Sequence, residues 1–307
     1  MSYSARMQKN HLYSVLLAPR GSIRMADAGA QIAQMYLSPY DNLIGVIGEA
    51  GSGKSMLIKG MFPGLELTND DSGVNVRPLP IMDLDDTGFF KPHTYHLDIR
   101  FEQGFYQMGD LAQAIEDALK LNRRVIVEHF ELIYPTLKRN AHLLIGVGEE
   151  LIITRPSVFG PEPEDIAKIV MPSVIYRKMA HSAEDLVEHE LGEMGIGKYE
   201  HDDVRHGFVL TFEEKPEIDI LELETRVKKL IAADLPISYK DDFHITVGEI
   251  THYCTGPRMH VESTGQISHF KLHPEFIRES ITNRYQLVGT VGFTYDPRLE
   301  DLNQIVP

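Results

Sequence analysis

Eight consecutive residues, Gly48-Glu49-Ala50-Gly51-Ser52-Gly53-Lys54-Ser55, constrain what this chain can fold into more than any other stretch. They fit the pattern G-x-x-x-x-G-K-[ST]. The apolar run Leu43-Ile44-Gly45-Val46-Ile47 precedes them, and Met56-Leu57-Ile58-Lys59, which reads as the start of a helix, follows. Strand, glycine-rich turn and helix in that order predict a loop that cradles phosphate. Gly51 and Gly53 let the backbone curl so that successive N–H groups point inward, and the helix N-terminus adds its partial positive charge. Lys54 is expected to reach the β and γ phosphates, and the Ser55 hydroxyl to help hold Mg²⁺. Residues Gly48 to Met56 are therefore the expected site of a nucleoside triphosphate, with ATP and Mg²⁺ as cofactors.

At 307 residues the chain is long enough for two domains with well-formed cores. No apolar run reaches the length needed to span a membrane, and the N-terminal Met-Ser-Tyr-Ser-Ala-Arg-Met lacks the apolar core of a signal peptide. The single cysteine, Cys254, excludes an intrachain disulfide, and a reducing cytoplasm is the simplest expected home. The net charge of −15 is uneven. From Met179 onward there are 24 acidic and 12 basic residues, against 21 and 18 before it. Binding of a general polyanion depends on Lys and Arg neutralising phosphates, so this acidic second half lowers the expectation of tRNA contact without removing it.

Strand-like and helix-like segments alternate through the first half. His11–Leu17 reads as a strand ending at the turn signal Pro19-Arg20-Gly21, and Met25–Leu37 reads as a helix. After the loop, Leu65-Glu66-Leu67 leads to Asp70 and Asp71, expected to supply a base for an attacking hydroxyl or to help hold the metal. A second acidic cluster, Asp83 to Asp86, is a weaker candidate for the same work. Thr94–Phe101 alternates as a strand, and Met108–Leu121 is a helix with Leu111, Ile115 and Leu119 on one face. Arg124–His129 is an apolar strand ending in Glu128, the main candidate for orienting Mg²⁺. Leu143–Val147 and Leu151–Ile153 are further apolar segments, and Arg155, at the base of the Pro156–Pro163 loop, is a candidate contact for the γ phosphate. Glu164–Val170 and Val174–Met179 read as helices. This alternation predicts a mostly parallel, doubly wound sheet over residues 1–178.

In the second half, His181–His189 reads as an amphipathic helix with His181 and Asp185 one turn apart on one face. Cys254 and His260 lie close together much later. Two imidazoles, a thiolate and a carboxylate suit Zn²⁺.

From His181 to about Gly292 the chain resembles the second additional domain shared by threonyl- and alanyl-tRNA synthetases, with a related domain in free-standing alanyl-tRNA editing proteins. The residues that carry the resemblance are His181-Ser182-Ala183 with Leu186 and Val187, Gly195-Ile196-Gly197 and His206–Phe212. They continue with Ile218–Ala233 closed by Asp234-Leu235-Pro236-Ile237, Cys254-Thr255-Gly256-Pro257, His260-Val261, Ser263-Thr264-Gly265 and Phe270-Lys271-Leu272. The resemblance implies an α+β editing-like domain over residues 179–307, with an activity that hydrolyses wrongly charged aminoacyl-tRNA. In that family two histidines on one helix and a Cys/His pair on a later loop form the site, and in the alanyl type these four bind zinc. His181, Cys254 and His260 match three of them. Asp185 stands where the second helix histidine is expected, and Arg258 and Met259 widen the Cys-to-His spacing.

The first half resembles uridine-kinase-type P-loop phosphotransferases at the loop and in the general order of strands. The whole chain is similar to a bacterial group named for containing the alanyl-tRNA synthetase second additional domain. The implied fold is an α/β P-loop NTPase followed by the α+β synthetase-like domain. The first functional expectation is ATP-dependent phosphoryl transfer to a small hydroxylated or amino-acid-like acceptor, using Lys54, Ser55, Glu128 and Asp70 or Asp71. The second is an ATP-gated aminoacyl-tRNA hydrolase using His181, Cys254 and His260. The third is a nucleotide-switched binding module.

Overall fold

The computed structural model describes residues 13–70, 73–74, 79–82 and 93–303. The chain divides into two units, Met1–Leu16 with Ile23–Pro172, and Leu17–Ser22 with Ser173–Pro307. Within the first run β1 (Tyr13–Leu17), α1 (Ser22–Tyr36), β2 (Leu43–Ile47), α2 (Lys54–Met61), the short β3 (Asn69–Asp70) and β4 (Gly73–Val74), and β5 (Thr94–Asp98). They are followed by α3 (Ile99–Glu102), α4 (Met108–Lys120), β6 (Arg124–Glu128), α5 (Phe130–Leu137), β7 (Leu143–Val147) and β8 (Glu150–Thr154).

Strands β2 and β7 are buried at every position, as strands covered on both faces must be. They lie in a six-stranded sheet ordered β1-β8-β7-β2-β6-β5. Pairs β7–β2, β2–β6 and β6–β5 are parallel, whereas β7–β8 is antiparallel. The sheet is thus mixed: three of these four pairings are parallel, and β8 runs against them. Only Gly148 and Glu149 separate β7 from β8, and a parallel return needs a crossover of a dozen residues or more.

That reversal also decides what Arg155 does. Following an antiparallel strand, it emerges at the end of the sheet where the parallel strands begin, away from the Gly48–Ser55 loop. There it forms a fork on Asp41, with Nη1 2.5 Å from Oδ1 and Nη2 2.8 Å from Oδ2, and donates to the carbonyls of Tyr36 and His142. Arg155 is a structural clamp, and the expected γ-phosphate contact is withdrawn. Asp41→Ala leaves this half-buried guanidinium without its carboxylate. It is expected to cost about 3 kcal/mol, measured as a lower urea midpoint with unchanged slope.

Helix α1 crosses α2 closely enough to require glycine on both sides. A Cβ on Gly29 would lie 2.2 Å from the Leu57 carbonyl oxygen, and one on Gly60 would lie 1.9 Å from that of Ala26. The helix that follows the glycine-rich loop is therefore held backbone to backbone.

Helix α6 (Pro163–Glu193) is one 31-residue element where three shorter helices were expected, with Pro172 inside it. The second unit continues with β9 (Glu200–Val204), β10 (Gly207–Phe212), α7 (Ile220–Ala232), β11 (Ile237–Asp241), β12 (His244–Val247) and β13 (Ile250–Tyr253). Strands β14 (Lys271–Leu272), β15 (Ile277–Arg278) and β16 (Tyr285–Thr290) complete it. Strands β9, β10, β16, β14 and β15 form an antiparallel sheet, and β11-β12-β13 is an antiparallel meander. Ala180, Ala183, Val187 and Leu191 of α6 pack with Phe208, Leu210 and Leu287 in the core of this unit. Those positions set which face of α6 looks inward. His181, Glu184, Asp185 and Glu188, at i, i+3, i+4 and i+7, occupy a neighbouring stripe.

The segment Leu17–Ser22 belongs to this unit through Arg20, which is 3% exposed. Its guanidinium lies 3.2 Å from Glu184 and 2.9 Å from Asp203, and donates to the Gly207 carbonyl at 2.8 Å. A stretch that reads as a turn thus carries a buried ion pair with residues 160 or more positions away. Among the described residues, no helix is long and apolar enough to cross a membrane.

Candidate functional site

In the first unit, Gly48–Gly53 connects β2 to α2. Gly51 and Gly53 adopt φ of 75° and 90°, a left-handed backbone that glycine takes without a Cβ penalty. Gly48 sits where a Cβ would approach the Val147 carbonyl oxygen to 2.5 Å, and the Ser52 N–H donates to Glu49 O. Ala50, Gly51, Gly53, Lys54 and Ser55 line a cavity of about 170 Å³, with Asn69, Asp98, Arg100, Glu128 and His129 opposite. Gly48, Glu49 and Ser52 shape the loop behind that lining, and Met56 is half-buried in the first turn of α2.

Glu128, 3% exposed, accepts from Ser55 Oγ and from His96 Nε2, each at 3.1 Å, with Lys54 Nζ 3.8 Å away. The Thr68 N–H donates to His96 Nδ1, which leaves the His96 proton on Nε2 to be given to Glu128. Burial alone would raise the Glu128 pKa, but His96, Lys54 and Ser55 outweigh it and hold the carboxyl below its ordinary range. Lys54 Nζ also donates to Glu49 O at 2.9 Å, which fixes the ammonium at the cavity wall.

Asp70 lies in β3, and Asp71 and Asp83 to Asp86 lie outside the described residues. The second carboxylate of the cavity is Asp98, which carries no motif. Its parallel register places it directly beside Glu128 at the ends of β5 and β6. Asp98 accepts from Asn69 Nδ2 at 3.0 Å and from the Phe101 N–H at 3.2 Å, so both oxygens are oriented. The signal for it in the sequence is only an acid at the end of an alternating strand. A polyphosphate with a divalent cation suits this donor set, because the glycine-rich loop, Lys54 and Ser55 line the same cavity as the carboxylates Glu128 and Asp98.

In the second unit, His181, Asp185, Cys254 and His260 converge, with ligand atoms all within 4.8 Å of one another. Cys254 Sγ lies 3.2 Å from His181 Nε2 and 3.8 Å from His260 Nε2. Tetrahedral zinc with bonds of about 2.0–2.3 Å separates its ligands by roughly 3.3–3.7 Å, so these spacings are close to the edges of such a site. His260 Nε2 is 2.7 Å from Asp185 Oδ2, while its Nδ1–H donates to the Pro257 carbonyl at 3.2 Å. A carbonyl cannot donate, so neutral His260 turns a lone pair toward a carboxylate. Burial pushes the His260 pKa down. For Asp185 the raising effect of burial is outweighed by His181, His260 and His252. At 2.7 Å the pair is at hydrogen-bond distance, and an ion bound by both would need them to part toward the zinc ligand spacing.

Arg258 and Met259 are packed so that His260 still meets Asp185 and Cys254. Met259 is buried and its N–H closes a turn on Gly256 O, while Arg258 stacks 4.0 Å over the Tyr239 ring. Ser182 Oγ accepts the Val261 N–H and ties the loop to α6. Burial, with Asp185 adding to it, drives the Cys254 thiol well above its ordinary pKa. Without a cation the sulfur is therefore a neutral thiol and a poor nucleophile, and a bound metal ion would have to displace its proton.

Around this cluster lie groups absent from the sequence reading. His201 Nδ1 is 3.2 Å from Glu184 Oε1 and 3.3 Å from Glu188 Oε1. His252 Nε2 is 3.9 Å from both Asp185 and Glu188. Burial and the neighbouring Asp185 and Glu184 push Glu188 up to about 9. Compared with known proteins, the chain matches no family model and no curated protein.

Proposed function

We propose that the chain is an ATP-dependent phosphotransferase acting on a small hydroxyl-bearing acceptor, with a metal-binding synthetase-like domain as its second half. The observation that carries this reading is the convergence of Lys54, Ser55, Glu128 and Asp98 on one cavity at the C-terminal ends of neighbouring parallel strands. The loop N–H groups and Lys54 would donate to phosphate oxygens, and Ser55 and Glu128 would hold the metal. Mg²⁺, when bound, neutralises charge that develops on the phosphates. Asp98, held by Asn69 and the Phe101 N–H, accepts the proton of the acceptor hydroxyl. The acceptor oxygen bonds to the γ phosphorus as the bond to the β-phosphate oxygen breaks, and ADP leaves. Asp98 is taken as the proposed base in place of Asp70 and Asp71 because β5 runs beside the strand of Glu128 and pairs Asp98 with it.

Asp98→Asn is expected to keep ATP affinity within about threefold while lowering acceptor-stimulated ADP release by about 10²–10⁴-fold, the range for loss of a general base. Calorimetry and coupled ADP assay read the two quantities. Equal rates in the variant and the wild type would remove Asp98 from the role.

A second reading, metal-assisted hydrolysis of an aminoacyl ester, is favoured by the convergence of His181, Asp185, Cys254 and His260. Zn²⁺, when bound there, supplies Lewis acidity and a more acidic water. Release of Ala, Ser or Thr from charged tRNA by zinc-loaded protein tests this reading, and no release with or without ATP disposes of it.

A further inference from the structure

The proposed zinc ligands do not account for the rest of the polar stripe on α6. Glu184 and Glu188, one turn apart, face His201 of β9 across the second unit, and the three ligand atoms lie within 4.8 Å of one another. The separations of 3.2 and 3.3 Å from His201 Nδ1 to the two carboxylates match those between neighbouring ligands of one divalent ion, roughly 3.0–3.5 Å for bonds of about 2.0–2.2 Å.

Two further imidazole nitrogens point the same way. His181 Nδ1 has no hydrogen-bond partner, sits on a side chain only 6% exposed and lies 3.6 Å from Glu184 Oε2. His252 Nε2 likewise has none and lies 3.9 Å from Glu188 Oε2.

Charge supplies an independent argument. Glu184, Asp185, Glu188 and Asp203 gather within this region, all at least mostly buried. Arg20 meets Glu184 and Asp203 and balances one of the four. A dication held by His181, Asp185, Cys254 and His260 balances two charges and is itself met by the Cys254 thiolate. Even with Glu188 protonated, Glu184, Asp185, Asp203 and the Cys254 thiolate exceed Arg20 and one dication by a single charge.

We propose that Glu184, Glu188 and His201 bind a second divalent cation, adjacent to the site of His181, Asp185, Cys254 and His260. Two carboxylates and one imidazole form a harder donor set than the cysteine-containing site, so the ion is Mn²⁺ or Zn²⁺. His201 is 40% exposed and Glu188 is 15% exposed, which leaves the ion a route from solvent. Arg20 remains on the far oxygen of Glu184 and orients the carboxylate so that Oε1 faces His201.

The test is metal stoichiometry of the full chain after stripping, saturation with Zn²⁺ and removal of excess, with a parallel Mn²⁺ titration followed by electron paramagnetic resonance. The wild type is expected to hold two ions per chain. His201→Ala and the near-isosteric Glu188→Gln are each expected to hold one, with at least a tenfold loss of Mn²⁺ affinity. Cys254→Ala is expected to keep the ion at Glu184, Glu188 and His201. One ion per chain that disappears with His201→Ala but survives Cys254→Ala would also support this second site and would count against the first. Unchanged stoichiometry and unchanged Mn²⁺ affinity in a folded Glu188→Gln protein would overturn the proposal. The Glu188→Gln result decides the matter if His201→Ala does not fold.

Discussion

Lys54→Ala is expected to lower ATP turnover by about 10²–10³-fold, equivalent to roughly 3–4 kcal/mol of lost transition-state stabilisation. The ammonium is 5% exposed, tethered to Glu49 O at 2.9 Å and poised at the cavity wall, so it is preorganised where phosphate charge would develop. Few other groups replace it. Arg100 also faces the cavity, but it lies on the exposed rim, 3.6 Å from Glu49. The fold is expected to survive, because Glu128 keeps its hydrogen bonds from His96 and Ser55 after Lys54 is gone. A steady-state ADP assay paired with a thermal melt separates the two effects. A variant that melts like the wild type yet turns ATP over at the wild-type rate would contradict the role given to Lys54.

Cys254→Ala is expected to abolish tight zinc binding at the His181, Asp185, His260 set and to reduce the sensitivity of the second unit to chelators. Two contributions to stability must be kept apart. Removing a buried sulfur from the core of this unit costs on the order of 1–2 kcal/mol whether or not metal is present. Losing the ion costs more, because binding to the folded state alone adds RT ln(1 + [L]/Kd), about 4 kcal/mol at a thousandfold excess over Kd. The zinc-loaded wild type is therefore expected to melt several degrees above the variant. Chelator should lower the melt of the wild type by more than that of the variant, which keeps only the ion at Glu184, Glu188 and His201. Equal melts of loaded wild type and variant would mean that the four side chains converge without holding an ion.

How much of this was legible beforehand depends on sequence separation. The Gly48–Ser55 loop is local: its strand, turn and helix lie in one short stretch, so pattern and structure coincide. Glu128 was legible as the acid at the end of an apolar strand. The four candidate metal ligands were suggested by their chemistry and sharpened by the resemblance of their surroundings, but 73 positions separate His181 from Cys254 and their convergence came only with the fold. Asp98 was not legible, because its importance comes from lying beside Glu128, a fact of parallel register. Arg155 was misassigned for the complementary reason. A strand's direction decides which end of the sheet its following residue occupies, and only the short Gly148-Glu149 turn hints at the reversal. Arg20, His201 and His252 were invisible because each finds its partner across the tertiary fold.

The width of the Cys254–His260 loop is the instructive intermediate case. The resemblance implies a narrower Cys-to-His spacing than this chain has, and here a backbone turn, a buried Met259 and an Arg258–Tyr239 stack accommodate Arg258 and Met259. Counting residues between ligands predicts chain length, whereas ligand position depends on where the added side chains can pack.

The most direct measurement of the central claim is the fate of the γ-phosphoryl group. Purified full-length chain is incubated with γ-labelled ATP and Mg²⁺, with and without a panel of small hydroxylated and amino-acid-like acceptors, and the products are separated. Phosphoryl transfer by the cavity of Lys54, Ser55, Glu128 and Asp98 predicts label covalently attached to one acceptor class, formed together with ADP and lost in Asp98→Asn. Label appearing only as inorganic phosphate, at a rate that no acceptor changes, would contradict it.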